Sequence, residues 1–131
     1  MILLDTCVFL WLNQDPPPLP FAILDRIRKT PSGSRFVSAV SALEIGVKAR
    51  RGRLELPAGD PKQWFDSVVA ERGINVIPMT VPIAFRSAAL PELHRDSADR
   101  LIIATALEHR LVLLTPDRLI AQYPEVELAW R

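Results

Sequence analysis

Four carboxylates in this chain lie far apart in sequence but share a setting. Asp5 follows the apolar run Met1-Ile2-Leu3-Leu4, and Glu44 stands at the start of the helix expected after Arg35-Phe36-Val37-Ser38. Asp99 opens a strongly apolar helix, and Asp117 follows Leu111-Val112-Leu113-Leu114. Carboxylates gathered without basic partners repel one another, and oxygen-only ligation is what a hard cation such as Mg²⁺ or Mn²⁺ requires. Cations held in this way bridge a phosphodiester, lower the pKa of a bound water and stabilise an in-line displacement. The chemistry indicated is nuclease chemistry.

Local structure offers each acid a second explanation. Glu44 is the fourth residue of Ser41-Ala42-Leu43-Glu44, a capping-box spacing in which it would answer the Ser41 amide. Asp96 and Asp99 suit the cap and first turn of a helix, where negative charge meets the positive dipole end, and Asp117 after Pro116 fits the same account. Asp5 is harder to explain locally, because a carboxylate ending a buried strand is costly unless it finds a partner. Cys7 lies beside it, but no Cys and His spacing supports nucleophilic catalysis. His94 is a lone loop histidine that metal-assisted hydrolysis does not require. Trp11, Trp64 and Phe65 sit in apolar helical patterns and suit core or interface better than base stacking.

The elements that must position these acids follow from the hydrophobic pattern. Short apolar runs at 1–4, 35–38, 74–77 and 111–114 read as strands, the first of them buried on both faces of a parallel sheet. Helical spacing predicts helices over 6–12, 21–29, from Ser41 until Gly52, from Asp60-Pro61 through Val69, over 81–90 and over 97–108. Leu54-Glu55-Leu56-Pro57 reads as a short extended piece, Asp117 as the opening of one more short helix, and Val126-Glu127-Leu128 as a last edge strand. Strands alternating with helices imply βαβ units and a mostly parallel sheet of four to five strands covered on both faces. In such a sheet the strand carboxyl ends and the following helix starts share one edge, so all four acids are expected there together.

Composition sets the frame. The chain has 131 residues, 49% apolar and 24% charged, which suits one folded domain over 1–131 and excludes bulk disorder. A single cysteine excludes an intramolecular disulfide and a multi-cysteine zinc site. No apolar run is long enough to span a membrane and no basic leader precedes one, so a soluble cytoplasmic protein is expected. The formal charge of +1 averages two regions: with Asp5, Glu44, Asp96, Asp99 and Asp117 set aside, 16 basic residues face 10 acidic ones. Lys48, Arg50, Arg51 and Arg53 follow the Glu44 helix start, and Arg95 and Arg100 flank the Asp96 and Asp99 pair. These are candidates for phosphate contacts, although exposed helix faces are often basic, and Arg100 has the alternative of pairing with a pocket acid.

The motifs Leu4-Asp5-Thr6, Ser41-Ala42-Leu43-Glu44-Ile45, Asp96-Ser97-Ala98-Asp99-Arg100-Leu101-Ile102-Ile103-Ala104 and Thr115-Pro116-Asp117 resemble, in that order, those of a PIN domain. Lys48 and Gly52-Arg53-Leu54-Glu55-Leu56-Pro57 narrow the resemblance to VapC-like ribonuclease toxins of type II toxin–antitoxin systems. Ser97 departs from that branch, which commonly has proline there. The resemblance implies a three-layer α/β/α sandwich and a metal-dependent endonuclease acting on single-stranded RNA to leave 5′-phosphate and 3′-hydroxyl ends. It implies one or two Mg²⁺ or Mn²⁺ ions held chiefly by Asp5 and Asp99. Glu44 and Asp117 would complete the pocket directly or through water, with Asp96 as ligand, cap or support. Thr6 and Thr115 would orient carboxylates or waters. A cognate antitoxin and a homodimer are further implications.

Three other readings use related features. A phospho-acceptor signalling domain also places acids and Mg²⁺ at strand ends, but would want paired acids at the first strand and a lysine after a late one. A dehalogenase-type phosphatase would want Asp-x-Asp, where this chain has Cys7. A catalytically silent PIN-like binding module would not need all four acids.

Overall fold

The computed structural model describes residues 1–57, 59–93 and 95–123. His94 and the edge strand expected at Val126-Glu127-Leu128 lie outside the described residues. Within them, β1 (Ile2–Leu4), β2 (Arg35–Ser38), β3 (Asn75–Ile77) and β4 (Val112–Leu114) form a parallel sheet in the order β3-β2-β1-β4. The chain moves outward from β1 to β2 and β3 on one side, then returns to place β4 on the other. The order therefore reverses between β1 and β4, and a crevice opens at their carboxyl ends. Asp5 follows one of these strands and Thr115 the other. The Asp5 amide donates to the Leu114 carbonyl at 3.1 Å and carries the pairing one residue further.

The pleat sorts the core into two layers. Ile2, Leu4 and Leu114 point into one cluster, with α1 (Thr6–Leu12), α2 (Phe21–Lys29) and α4 (Pro61–Glu71) supplying Phe9, Ile27 and Phe65. Leu3 and Leu113 point into the other, against Ile83 of α5 (Val81–Ala89) and Ile102, Ile103 and Ala106 of α6 (Ser97–His109). Successive strand residues face opposite ways, so only a sheet covered on both faces buries such continuous apolar runs. The result is the three-layer α/β/α arrangement. Gly73, just before β3, has φ of +60°, and a Cβ there would stand 2.5 Å from the Ser32 Cβ, so this turn admits no side chain.

Local capping departs from the sequence reading at two places. The third helix, α3 (Ala39–Arg50), begins three residues earlier than the expected Ser41 cap implies, with Ser38 as its cap accepting from the Val40 amide at 3.0 Å. Ser41 and Glu44 are thus interior to α3 and form no capping box. After β4, the short helix expected to open at Asp117 is reduced to a 3-10 turn over Ile120–Gln122. Residues 54–56 carry no regular structure.

Candidate active site

The carboxyl edge of the sheet holds the predicted acids in distinct environments. Asp5 is 6% exposed, caps α1 by accepting the Thr6 amide at 2.8 Å, and receives the Thr115 hydroxyl on its other oxygen at 2.6 Å. Both oxygens are therefore aimed before any ligand arrives. Burial, first of all, pushes the Asp5 carboxyl above the ordinary aspartate range, and the nearby charge of Asp117 adds to that push. Among the described residues no cation pairs with Asp5 to offset it.

Glu44 projects from α3, half-buried, and accepts the Thr6 hydroxyl at 2.5 Å. Its carboxyl is also raised, chiefly by burial, with Asp5 and Asp96 repelling it and Lys48 partly relieving it. Thr6 thus holds Asp5 through its amide and Glu44 through its hydroxyl. Asp117 is half-buried; its amide donates to the Thr115 hydroxyl oxygen at 3.1 Å, and its Oδ1 accepts the Leu119 amide at 2.9 Å. Asp96 is exposed and caps α6, accepting the Ala98 and Asp99 amides at 2.9 and 3.3 Å, which is the capping role among those expected. Asp99 follows in the first turn of α6, half-buried.

The structure therefore brings Asp5, Glu44 and Asp117 to one edge, within each other's electrostatic reach through Asp5, with Asp96 acting on Glu44. It does not close them into a cage: among the described residues no three acids, histidines or cysteines converge on a common point. The donors nonetheless fit Mg²⁺ or Mn²⁺, since they are all carboxylate oxygens, and Asp5 in particular has no cationic partner among the described residues. Mg²⁺ also characteristically keeps several waters and takes only one or two protein carboxylates.

The basic candidates separate into two groups. Lys48, Arg51 and Arg53 line a 290 Å³ groove together with Glu44, Asp96 and the exposed apolar residues Leu43 and Val47. This wall of Leu43 and Val47 was not legible as part of a site, because neither side chain carries a charged or ligating group. Arg50 is exposed at the end of α3 and does not line the groove. Arg95 and Arg100 border a separate 420 Å³ recess with Glu92 and Ser97. Arg100 has structural work not expected of it: its guanidinium donates to the carbonyls of Ser87, Leu90 and Pro91 at 2.9 Å each, tying α6 to the end of α5.

Cys7 lies 3.9 Å from Asp5, and its thiol is pushed up to about 12 by burial and by the Asp5 charge. The thiolate is the reactive form, so alkylation by iodoacetamide at mildly alkaline pH is expected at least about a hundredfold slower in the native protein than in denaturant. Equal rates would contradict this environment.

A parallel sheet with its switch point between β1 and β4, and a buried carboxylate clasped there by two threonines, define a class as much as a fold. The PIN domain family model matches residues 2–126, and the chain belongs to the PIN domain family. It is 30% identical to ribonuclease VapC22 of Mycobacterium tuberculosis over 98% of both chains. A toxin–antitoxin complex from Klebsiella pneumoniae contains a chain 26% identical, with a TM-score of 0.65 over 96% of this chain and 95% of that one. VapBC2 of Rickettsia felis, solved bound to a promoter DNA fragment, shares the fold at 17% identity, with a TM-score of 0.73 over 98% and 97%. VapC ribonucleases of this family generally depend on divalent cations. No helix among the described residues is long and apolar enough to cross a membrane.

Proposed function

We propose that this chain, as a single PIN domain over 1–131, is a metal-dependent endoribonuclease that hydrolyses single-stranded regions of RNA. On this reading it is the toxin of a type II toxin–antitoxin pair, acts in the cytoplasm, forms a homodimer and is restrained by a cognate antitoxin. The observation that carries the proposal is Asp5: a buried carboxylate at the switch point, both oxygens oriented, with no cationic partner among the described residues. Such a group is expensive to keep unless a positive ligand completes it.

Asp5 and Asp99 would chiefly hold the cation, with Glu44 and Asp117 contributing directly or through water. One or two Mg²⁺ or Mn²⁺ ions bound there supply a water of lowered pKa and charge that stabilises the leaving oxygen. The Thr6 and Thr115 donors keep Glu44 and Asp5 oriented, so no side-chain reorganisation is needed when substrate arrives. Lys48, Arg51 and Arg53 place positive charge along the groove that Glu44 also lines, where a phosphate backbone would run toward the acids. The exposed Arg50 and Arg95 would add longer-range attraction.

The test is incubation of purified protein with single-stranded and structured RNAs in Mg²⁺, Mn²⁺ or EDTA. Cleavage confined to single-stranded regions, leaving 5′-phosphate ends and abolished by EDTA, is expected. No cleavage in either metal, with acetyl phosphate labelling Asp5 instead, would overturn the reading in favour of a phospho-acceptor domain.

A further inference from the structure

We propose that Ser41 is a positioning residue of the acidic site, acting on Glu44 through Thr6; the inference rests on the ribonuclease reading above. Ser41 lies in α3 with none of its surface exposed, and its Oγ is 2.8 Å from the Thr6 hydroxyl. Thr6 has a single hydroxyl proton, which goes to Glu44 at 2.5 Å, the short distance of a hydroxyl bonded to a carboxylate. With that proton committed, Thr6 can only accept from Ser41. The direction of the whole chain follows: Ser41 donates to Thr6, and Thr6 donates to Glu44.

This arrangement differs from what a helical hydroxyl ordinarily does. Thr105, in the middle of α6, bonds back to the Leu101 carbonyl four residues earlier at 2.7 Å. The Ser41 hydroxyl instead crosses to another helix. Ser41 and Glu44, three residues apart, share one face of α3 and clasp the Thr6 side chain from the same side. The clasp fixes how α3 is turned against the start of α1, and so where the Glu44 carboxylate points. Each donor in such a chain polarises the next, so Ser41 strengthens the bond that holds Glu44. Thr6 is 4% exposed and Ser41 fully buried, so bulk solvent is kept from the Thr6 oxygen if the serine hydroxyl is removed.

The experiment is a double-mutant cycle of Ser41→Ala and Thr6→Val, read by kcat and KM for RNA cleavage and, separately, by calorimetric titration of the RNA-free protein with Mn²⁺. Ser41→Ala is expected to lower kcat and weaken Mn²⁺ binding about tenfold each with KM for RNA little changed, the usual loss when a partner behind a ligand is removed. In the Thr6→Val background the same substitution should have almost no further effect. Wild-type kcat and Mn²⁺ affinity in Ser41→Ala, or losses that add fully to those of Thr6→Val, would overturn the inference and leave Ser41 a packing residue. If Ser41→Ala does not fold, Ser41→Cys, close in size but a weak donor, takes its place under the same criteria. A wild-type protein that binds Mn²⁺ but cuts no RNA would sink the ribonuclease reading while the Mn²⁺ titrations still decide Ser41. A protein that does neither overturns both.

Discussion

Asp5→Asn is expected to slow RNA cleavage by about 10³-fold or more without lowering the melting temperature of the metal-free protein at neutral pH. The loss of activity follows from removing the most buried negative charge of the pocket, the one both threonines serve. The retained stability follows from what asparagine keeps. Its carbonyl oxygen still accepts the Thr6 amide, and its amide group can donate to Thr115, whose hydroxyl rotates to accept it. What disappears is a desolvated charge that Asp117 repels. Sites that hold uncompensated charge for function commonly cost stability, and neutralising them returns some of it. Cleavage assays and thermal melts on one preparation separate the two effects. Cleavage within about tenfold of wild type would remove Asp5 from the centre of the site, whereas a fall of several degrees in melting temperature would make it a structural cap instead.

How much of this was legible beforehand depended on how local the determinants were. Strands and helices followed from apolar runs and 3.6-residue spacing, and the bounds of α1, α2 and β2 match expectation because prolines and polar breaks punctuate them. Asp5 stood out because nothing local explained a carboxylate after four apolar strand residues. Ser41 was misread for the opposite reason: Ser-x-x-Glu has a ready local meaning, and only the placement of α1 against α3 shows that both side chains serve Thr6. Ser38, the true cap, lay hidden at the end of the β2 run. For Arg100, sequence shows charge next to acids but not the three carbonyls at the end of α5 that its guanidinium also binds. Long-range hydrogen bonds, more than element boundaries, were what the sequence concealed.

Burial of the same acids sets the response to pH. Asp5 and Glu44 both have carboxyls raised above their ordinary range, burial being the largest cause for each, so protons compete with a cation at higher pH than for exposed carboxylates. Below its pKa, each proton displaced costs about tenfold in apparent affinity per pH unit. Lowering the pH from about 7.5 to about 5 should therefore weaken Mn²⁺ binding more than it would at a site built of exposed carboxylates. Stability carries the matching sign. For a carboxyl raised on folding, the favourable contribution is complete below its unfolded value, near 4, and is lost as pH rises through the folded one. Neutral solution is thus where the metal-free pocket is least stable, and where a divalent cation restores most. The rise in melting temperature on adding saturating Mn²⁺ should be clearly larger at about pH 7.5 than at about pH 5. Carrying Asp5→Asn and Glu44→Gln together should abolish most of that difference. An equal rise at both pH values in the wild-type protein would mean that the cation binds away from these two buried acids.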